Sequence, residues 1–143
     1  MKVVVPDASV ILKWVLPDPK RERDVEQALY LRDSAVNGKI SIKVPSLWLY
    51  EVGNTLARRF ADRSQDLLDA LMAFGLDESG MHGEWLDQII VLTRRYNVTF
   101  YDAAYHALAL VEKGVFVTAD AKYVRKAGKA GAVVVLKEWA GLG

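Results

Sequence analysis

Four acids stand out by their positions in the chain: Asp7, Glu51, Asp102 and Asp120. Asp7 and Asp120 lie just past short β-branched runs, Asp102 falls in the first turn of an expected helix, and Glu51 interrupts an otherwise apolar helical segment. Each has a local explanation. Asp7, or Ser9 beside it, can cap a helix starting near Ala8; Asp120 can cap another, Asp102 suits a helix dipole, and Glu51 can be an exposed helix residue. Caps do not explain an acid among apolar residues, so convergence of the four is the more interesting expectation. Carboxylates gathered at ~4–6 Å repel one another and take up protons unless a cation neutralises them. Oxygen donors without cysteine or clustered histidine favour Mg²⁺ or Mn²⁺ over Zn²⁺. One such ion, or a pair ~3.5–4 Å apart, activates water and stabilises a phosphodiester transition state. The chemistry expected is metal-dependent phosphodiester hydrolysis.

The elements that must position these acids read as alternating strands and helices. Residues 3–5, three valines, suit a strand buried on both faces, ended by Pro6-Asp7. Val10, Ile11, Trp14 and Val15 then have helical spacing up to a corner at Pro17-Asp18-Pro19. Residues 19–37 form an amphipathic helix with Val25, Ala28, Leu29, Ala35 and Val36 as its stripe, stopped by Asn37-Gly38. Residues 40–44 alternate as a strand near a sheet edge does, and Pro45-Ser46 open a helix to about Phe60. On that helix Glu51, Asn54 and Arg58 share one face, and Leu49, Val52, Leu56 and Phe60 another.

Ser64 is expected to cap the next helix, whose Leu67, Leu68, Leu71, Met72 and Phe74 cover more than a narrow stripe. With Phe60 they suit either the core or a dimer or partner surface. Residues 77–83 read as a polar connection, and Trp85, Ile89, Leu92 and Tyr96 define a further helix closed by Asn97. Thr99 to Asp102 has the form of a capping box for a helix reaching Gly114. Residues 115–118 and 132–136 read as two more buried strands with a basic helix between them, followed by a short terminal turn. Such alternation predicts an α/β protein, a parallel sheet with helices on both faces, and right-handed crossovers that bring every strand's C-terminal end to one rim.

Composition sets the outer bounds. A chain of 143 residues, 52% hydrophobic and 26% charged, is expected to build one folded domain over 1–143. Nineteen basic and eighteen acidic residues leave a net charge of +1, so any surface for nucleic acid must be local. The absence of cysteine removes disulfides and thiolate chemistry and suits a reducing cytosol. With no signal-like start and no apolar run near 18 residues, a cytoplasmic location is the default expectation.

Lys122, Arg125, Lys126 and Lys129 form a basic stripe at i, i+3, i+4 and i+7 beside Asp120, able to hold an RNA backbone or simply to face solvent. Arg58 and Arg59 can contribute likewise or bind a partner's carboxylate. Tyr123 and Trp14 can stack on bases, although the helical spacing of Trp14 suits buried packing better. His106, four residues after Asp102, can reach substrate but more simply packs; His82 falls in a loop.

Taken in order, Val-Pro-Asp-Ala-Ser-Val near the N-terminus, Tyr-Glu-Val-Gly-Asn, Tyr-Asp-Ala-Ala-Tyr-His-Ala-Leu-Ala and Val-Thr-Ala-Asp-Ala-Lys resemble the PIN-domain ribonucleases over nearly the whole chain. The size is similar to that of the VapC toxins of toxin/antitoxin pairs. The resemblance implies a three-layer α/β/α sandwich with a central parallel sheet and Mg²⁺- or Mn²⁺-dependent cleavage of RNA. It places the acidic metal ligands on Asp7, Glu51, Asp102 and Asp120, with Ser9, Asn54 and Thr118 at supporting polar positions. It also implies a homodimer and an inhibitory antitoxin. Two other readings remain at this point: a PIN-like module that binds RNA or protein without cutting, and a receiver-like signalling domain. The receiver pattern is poorly met, since Asp7 stands alone after the first strand and no acid directly follows Val44.

Overall fold

The computed structural model describes residues 2–16, 20, 22–80 and 82–140. The corner expected at residues 17–19 and the last residues of the terminal turn lie outside them. Five parallel strands form one sheet in the order β3-β2-β1-β4-β5: β1 (Lys2–Pro6), β2 (Ile40–Pro45), β3 (Asp77–Ser79), β4 (Val115–Thr118) and β5 (Val133–Val135). Among the described residues seven α-helices accompany it: α1 (Ala8–Leu12), α2 (Val25–Val36), α3 (Trp48–Arg59), α4 (Ser64–Met72), α5 (Gly83–Tyr96), α6 (Phe100–Val111) and α7 (Ala121–Ala127). This is the α/β/α arrangement that the alternating pattern predicts.

The valine run of β1 occupies the centre, with Val4 and Val5 fully buried, because β2 and β4 flank its edges and helices cover its faces. From β1 the chain winds outward through β2 to β3, then returns to place β4 on the other side of β1 and β5 beyond it. Strand order therefore reverses between β1 and β4. Ligand crevices in open α/β sheets form outside the strand carboxyl ends at such a reversal. Asp7 follows β1 and Asp120 follows β4, so the topology alone brings them to one place.

Helix α6 lies closest to the sheet. Its positions from Ala103 to Ala109 are all buried, and its four alanines allow close approach to β1, β2 and β4 while α5 packs alongside. Several expectations need correction. Residues 77–79, read as connection, form edge strand β3, which pairs with Lys43–Pro45 although Asp-Glu-Ser has little strand propensity; pairing with β2 supplies what the side chains do not. Trp48 donates its indole N–H to Glu78 there at 2.7 Å. On α2 the buried positions are Ala28, Leu31 and Ser34, whereas Val36 at the helix end is exposed. Ser64 is no cap: a 3₁₀ turn at Ala61–Arg63 precedes α4, and the Ser64 hydroxyl donates back to the Ala61 carbonyl. β5 is an edge strand with half-buried valines rather than a buried one.

Candidate active site

Pro6 ends β1, yet the ladder continues one step, because the Asp7 N–H donates to the Val117 carbonyl at 2.9 Å. This fixes the Asp7 backbone to β4. Its side chain then serves two structures. Oδ1 accepts the Ala8 N–H at 2.8 Å, capping α1, while Oδ2 accepts the hydroxyls of Ser9 and Thr118, each at 2.9 Å. Capping and membership of an acid cluster are thus compatible at one residue.

Thr118 closes the link to the neighbouring strand. Buried at the end of β4, its Oγ1 donates to Asp7 and accepts the Asp120 N–H at 3.0 Å. The Ala119 N–H donates to the Ser9 hydroxyl at 3.3 Å. Asp120 caps α7, its Oδ1 accepting the Tyr123 N–H at 3.2 Å. Asp102 stands in the first turn of α6, where Thr99 caps the helix by accepting the Asp102 N–H at 3.1 Å. Glu51 lies in the first turn of α3, and its Oε1 accepts the hydroxyl of Tyr105 on α6 at 2.5 Å.

The four acids feel one another. Burial is the main cause that pushes the Asp7 carboxyl up to about 6; the Ser9 and Thr118 hydroxyls counter it, and Asp102 and Glu51 raise it further. Burial also raises Glu51 and Asp102, partly offset by the hydroxyls of Tyr105 and Thr99 respectively, with Asp102 adding to the shift of Glu51 and Asp120 to that of Asp102. Asp102 is the hub, coupled to all three others. As the side chains stand, no group of three or more His, Cys, Asp or Glu among the described residues is gathered closely enough to hold a metal ion. The donor chemistry, four oxygen-only acids whose charges oppose one another, nevertheless fits a hard divalent cation.

Beneath the acids lies an aromatic floor. Tyr105 and His106 stack on Phe116, and Tyr123 meets His106 and Phe116 edge-on. His106 is fully buried, and burial lowers its pKa. Its Nε2 lies 2.7 Å from the Gly131 carbonyl, which can only accept, so Nε2 carries the proton and Nδ1 accepts the Tyr123 hydroxyl at 2.7 Å. His106 therefore ties α6 to α7 and to the turn before β5, a packing role. The expectation that Tyr123 and Trp14 are free to stack on bases is corrected: they are 4% and 7% exposed. Trp14 instead donates its indole N–H to the Ala28 carbonyl at 2.9 Å.

Tyr105 was missing from the sequence reading, although its position three residues after Asp102 places it on the same helix face. Asn54 and Arg58 are exposed, and among the described residues Asn54 has no hydrogen bond to an acid. Arg59 lies over the Phe60 ring at 5.3 Å. The basic stripe divides. A hollow of about 220 Å³ at the rim is lined by Asp102, Asp120, Lys122 and Lys126, but not by Arg125 or Lys129. A larger hollow of about 300 Å³ between α2 and the β2–β3 edge contains none of the four acids.

The model of the PIN domain matches residues 4–129. The chain belongs to the PIN-domain family. No curated protein matches the sequence. Among solved structures, PAE2754 from Pyrobaculum aerophilum is similar at 20% identity and a TM-score of 0.66, over 95% of this chain and 90% of that one. VapBC2 from Rickettsia felis, bound to a DNA fragment from their promoter, is similar at 14% identity and a TM-score of 0.67, over 93% and 96%. A toxin–antitoxin complex from Klebsiella pneumoniae is similar at 14% identity and a TM-score of 0.63, over 93% and 97%. At these identities the likeness concerns the fold of this PIN domain. No described helix is long and apolar enough to cross a membrane.

Proposed function

We propose that this PIN domain, taken as one unit over 1–143, is a Mg²⁺- or Mn²⁺-dependent endoribonuclease and the toxin of a toxin/antitoxin pair. The observation that carries the reading is the assembly of four carboxylates from four distant segments at the strand-order reversal, where Thr118 bonds both Asp7 and the Asp120 N–H, Tyr105 of α6 bonds Glu51, and Asp102 and Asp120 line one hollow. Asp7, Glu51, Asp102 and Asp120 would hold the metal, which when bound supplies an activated water and neutralises charge on the phosphodiester. The chain's own groups set that geometry. Ser9 and Thr118 fix the Asp7 carboxylate, Tyr105 orients Glu51, and Thr99 holds the first turn of α6 under Asp102. Asn54 is retained only as a polar neighbour one turn beyond Glu51.

Asp7→Asn or Asp102→Asn should abolish Mg²⁺-dependent RNA cleavage while circular dichroism stays unchanged. Cleavage retained by either variant in a preparation free of host nuclease rejects the reading. A folded protein that binds no Mg²⁺ or Mn²⁺ at millimolar concentration by calorimetry would favour the non-catalytic PIN-like module. An antitoxin partner is supported by the toxin–antitoxin complexes among the similar folds, and co-expression with the product of an adjacent small reading frame tests it. Of the apolar residues at 60, 67, 68, 71, 72 and 74, Leu67 and Leu71 are buried and Phe60 and Leu68 pack against the core, so exposed Met72 at the end of α4 and Phe74 just beyond it are the surface proposed for that partner or for a second copy in a homodimer. A cytoplasmic site of action is part of the same proposal.

A further inference from the structure

Lys122 and Lys126 lie four residues apart on α7, and both line the rim hollow with Asp102 and Asp120. Opposite them, Asn97 and Thr99 form the wall between α5 and α6. Asn97 takes a left-handed conformation at φ 53, which ends α5 and presents its carbonyl to the Lys126 ammonium at 3.4 Å. A long bond from one of three ammonium donors leaves Lys126 with two to give. Among the described residues neither lysine forms a salt bridge, although two acids share the hollow with them. Arg125 on α7 and Lys129 in the 3₁₀ turn at Gly128–Ala130 do not line it.

A hollow with two ammonium groups in no salt bridge among the described residues, beside the acids, suits a ligand that brings negative charge to the lysines. We propose that this hollow is a subsite for one phosphodiester group of the substrate strand next to the bond that is cut, held by Lys122 and Lys126 and not by Arg125 or Lys129. The inference rests on the nuclease reading and deepens it. It turns a basic stripe of four into one subsite of two, and gives the bound strand a fixed path along α7 from Asp120 toward the α5–α6 connection. Asp102 and Asp120 repel an incoming phosphate, so the two lysines provide the attraction that lets a strand approach the acids at all.

The test is fluorescence anisotropy of a short dye-labelled single-stranded RNA, titrated in EDTA so that no strand is cut, across a series of NaCl concentrations. Each phosphate contact on a single strand contributes about 0.7 to the slope of log K against log salt. Because both lysines hold one phosphate, Lys122→Ala, Lys126→Ala and the double variant should all lower that slope by the same amount, about 0.7, while Arg125→Ala and Lys129→Ala leave it unchanged, all melting like the parent. A scan of single neutral methylphosphonates should then find a position that lowers the parent's slope but not that of Lys126→Ala. Equal losses in all four single variants overturn the subsite in favour of a diffuse basic face. An unchanged slope in both lysine variants also overturns it and makes Lys122 and Lys126 counter-ions of the acids. Failure of the parent to bind RNA even at low salt overturns the subsite alone; the nuclease reading stands or falls separately on Mg²⁺-dependent cleavage by the parent and its loss in Asp7→Asn and Asp102→Asn.

Discussion

Asp7 shows how an acid can be strained and useful at once. Its carboxyl is pushed up to about 6 from an ordinary 3.8, chiefly by burial, so the folded state holds the proton more tightly than the unfolded chain. Stability from this group is then fully present below the unfolded value and is lost as pH rises through the folded one. For the metal-free protein the loss is on the order of 3 kcal/mol between about pH 4 and pH 7. Asp7→Asn keeps the shape and an acceptor for the Ala8 N–H while removing the buried charge. It should raise the urea midpoint at neutral pH, flatten the pH dependence over that window and abolish cleavage. A midpoint that falls instead would mean that the cap and the two hydroxyl bonds outweigh desolvation. Tyr105 makes a second case. Tyr105→Phe leaves Glu51 without its one short donor, and hydrogen bonds to charged groups are worth about 1.5–3 kcal/mol. Cleavage should drop at least tenfold in kcat with circular dichroism unchanged; full activity would show that Glu51 is oriented by other means. The acids were legible in the sequence because their positions relative to strands are unusual. Their supports were less so. A threonine ending a strand and a tyrosine inside a helix look the same whether or not they bond a distant carboxylate, and periodicity does not reveal that Tyr123 faces inward.

Among the elements, β1, α6 and β4 set the precision of the site. Thr118 reaches Asp7 only while β4 keeps its register on β1, where Val4, Val5 and Pro6 stand beside Val115, Phe116 and Val117. Gly114 at the entry to β4 makes that approach possible. A Cβ there would lie 2.2 Å from the Val3 carbonyl oxygen, a clash with backbone that no side-chain rotation relieves. Gly114→Ala should therefore destabilise the protein by about 2–4 kcal/mol, the upper part of the range for single substitutions. It should also weaken cleavage in the fraction that remains folded, because displacing β4 withdraws Thr118 from Asp7. An unchanged denaturation midpoint would show that β1 and β4 can part without penalty. In the sequence Gly114 reads simply as the end of a helix, since a glycine needed for close approach leaves no local mark. Edge strand β3 was hidden for a related reason: Asp-Glu-Ser becomes a strand only because Lys43–Pro45 offers it a partner. Strands with their own β-branched signal, β1 and β4, were legible, and so were the long helices with a clear apolar face.

On the scale of the whole molecule, the acids reach the rim from residues 7, 51, 102 and 120, and no short segment contains more than one of them. A cation site built from them exists only in the folded chain. An ion that binds the native but not the unfolded state stabilises by RT ln(1 + [L]/Kd), about 1.4 kcal/mol at ten times Kd. A cation held there as proposed would also relieve the repulsion that centres on Asp102, so its effect would compete directly with protons at Asp7. Mg²⁺ or Mn²⁺ should therefore raise the melting temperature at neutral pH, EDTA should reverse the rise, and NaCl of equal ionic strength should not reproduce it. The increment should shrink as pH falls through about 6, where Asp7 takes up its proton, and should vanish in the Asp7→Asn, Asp102→Asn double variant. A rise that persists in that variant would place the cation elsewhere. Melting curves identical in Mg²⁺ and NaCl would mean that the fold tolerates its four facing carboxylates without a cation, and the weight would move to a PIN-like module that binds but does not cut.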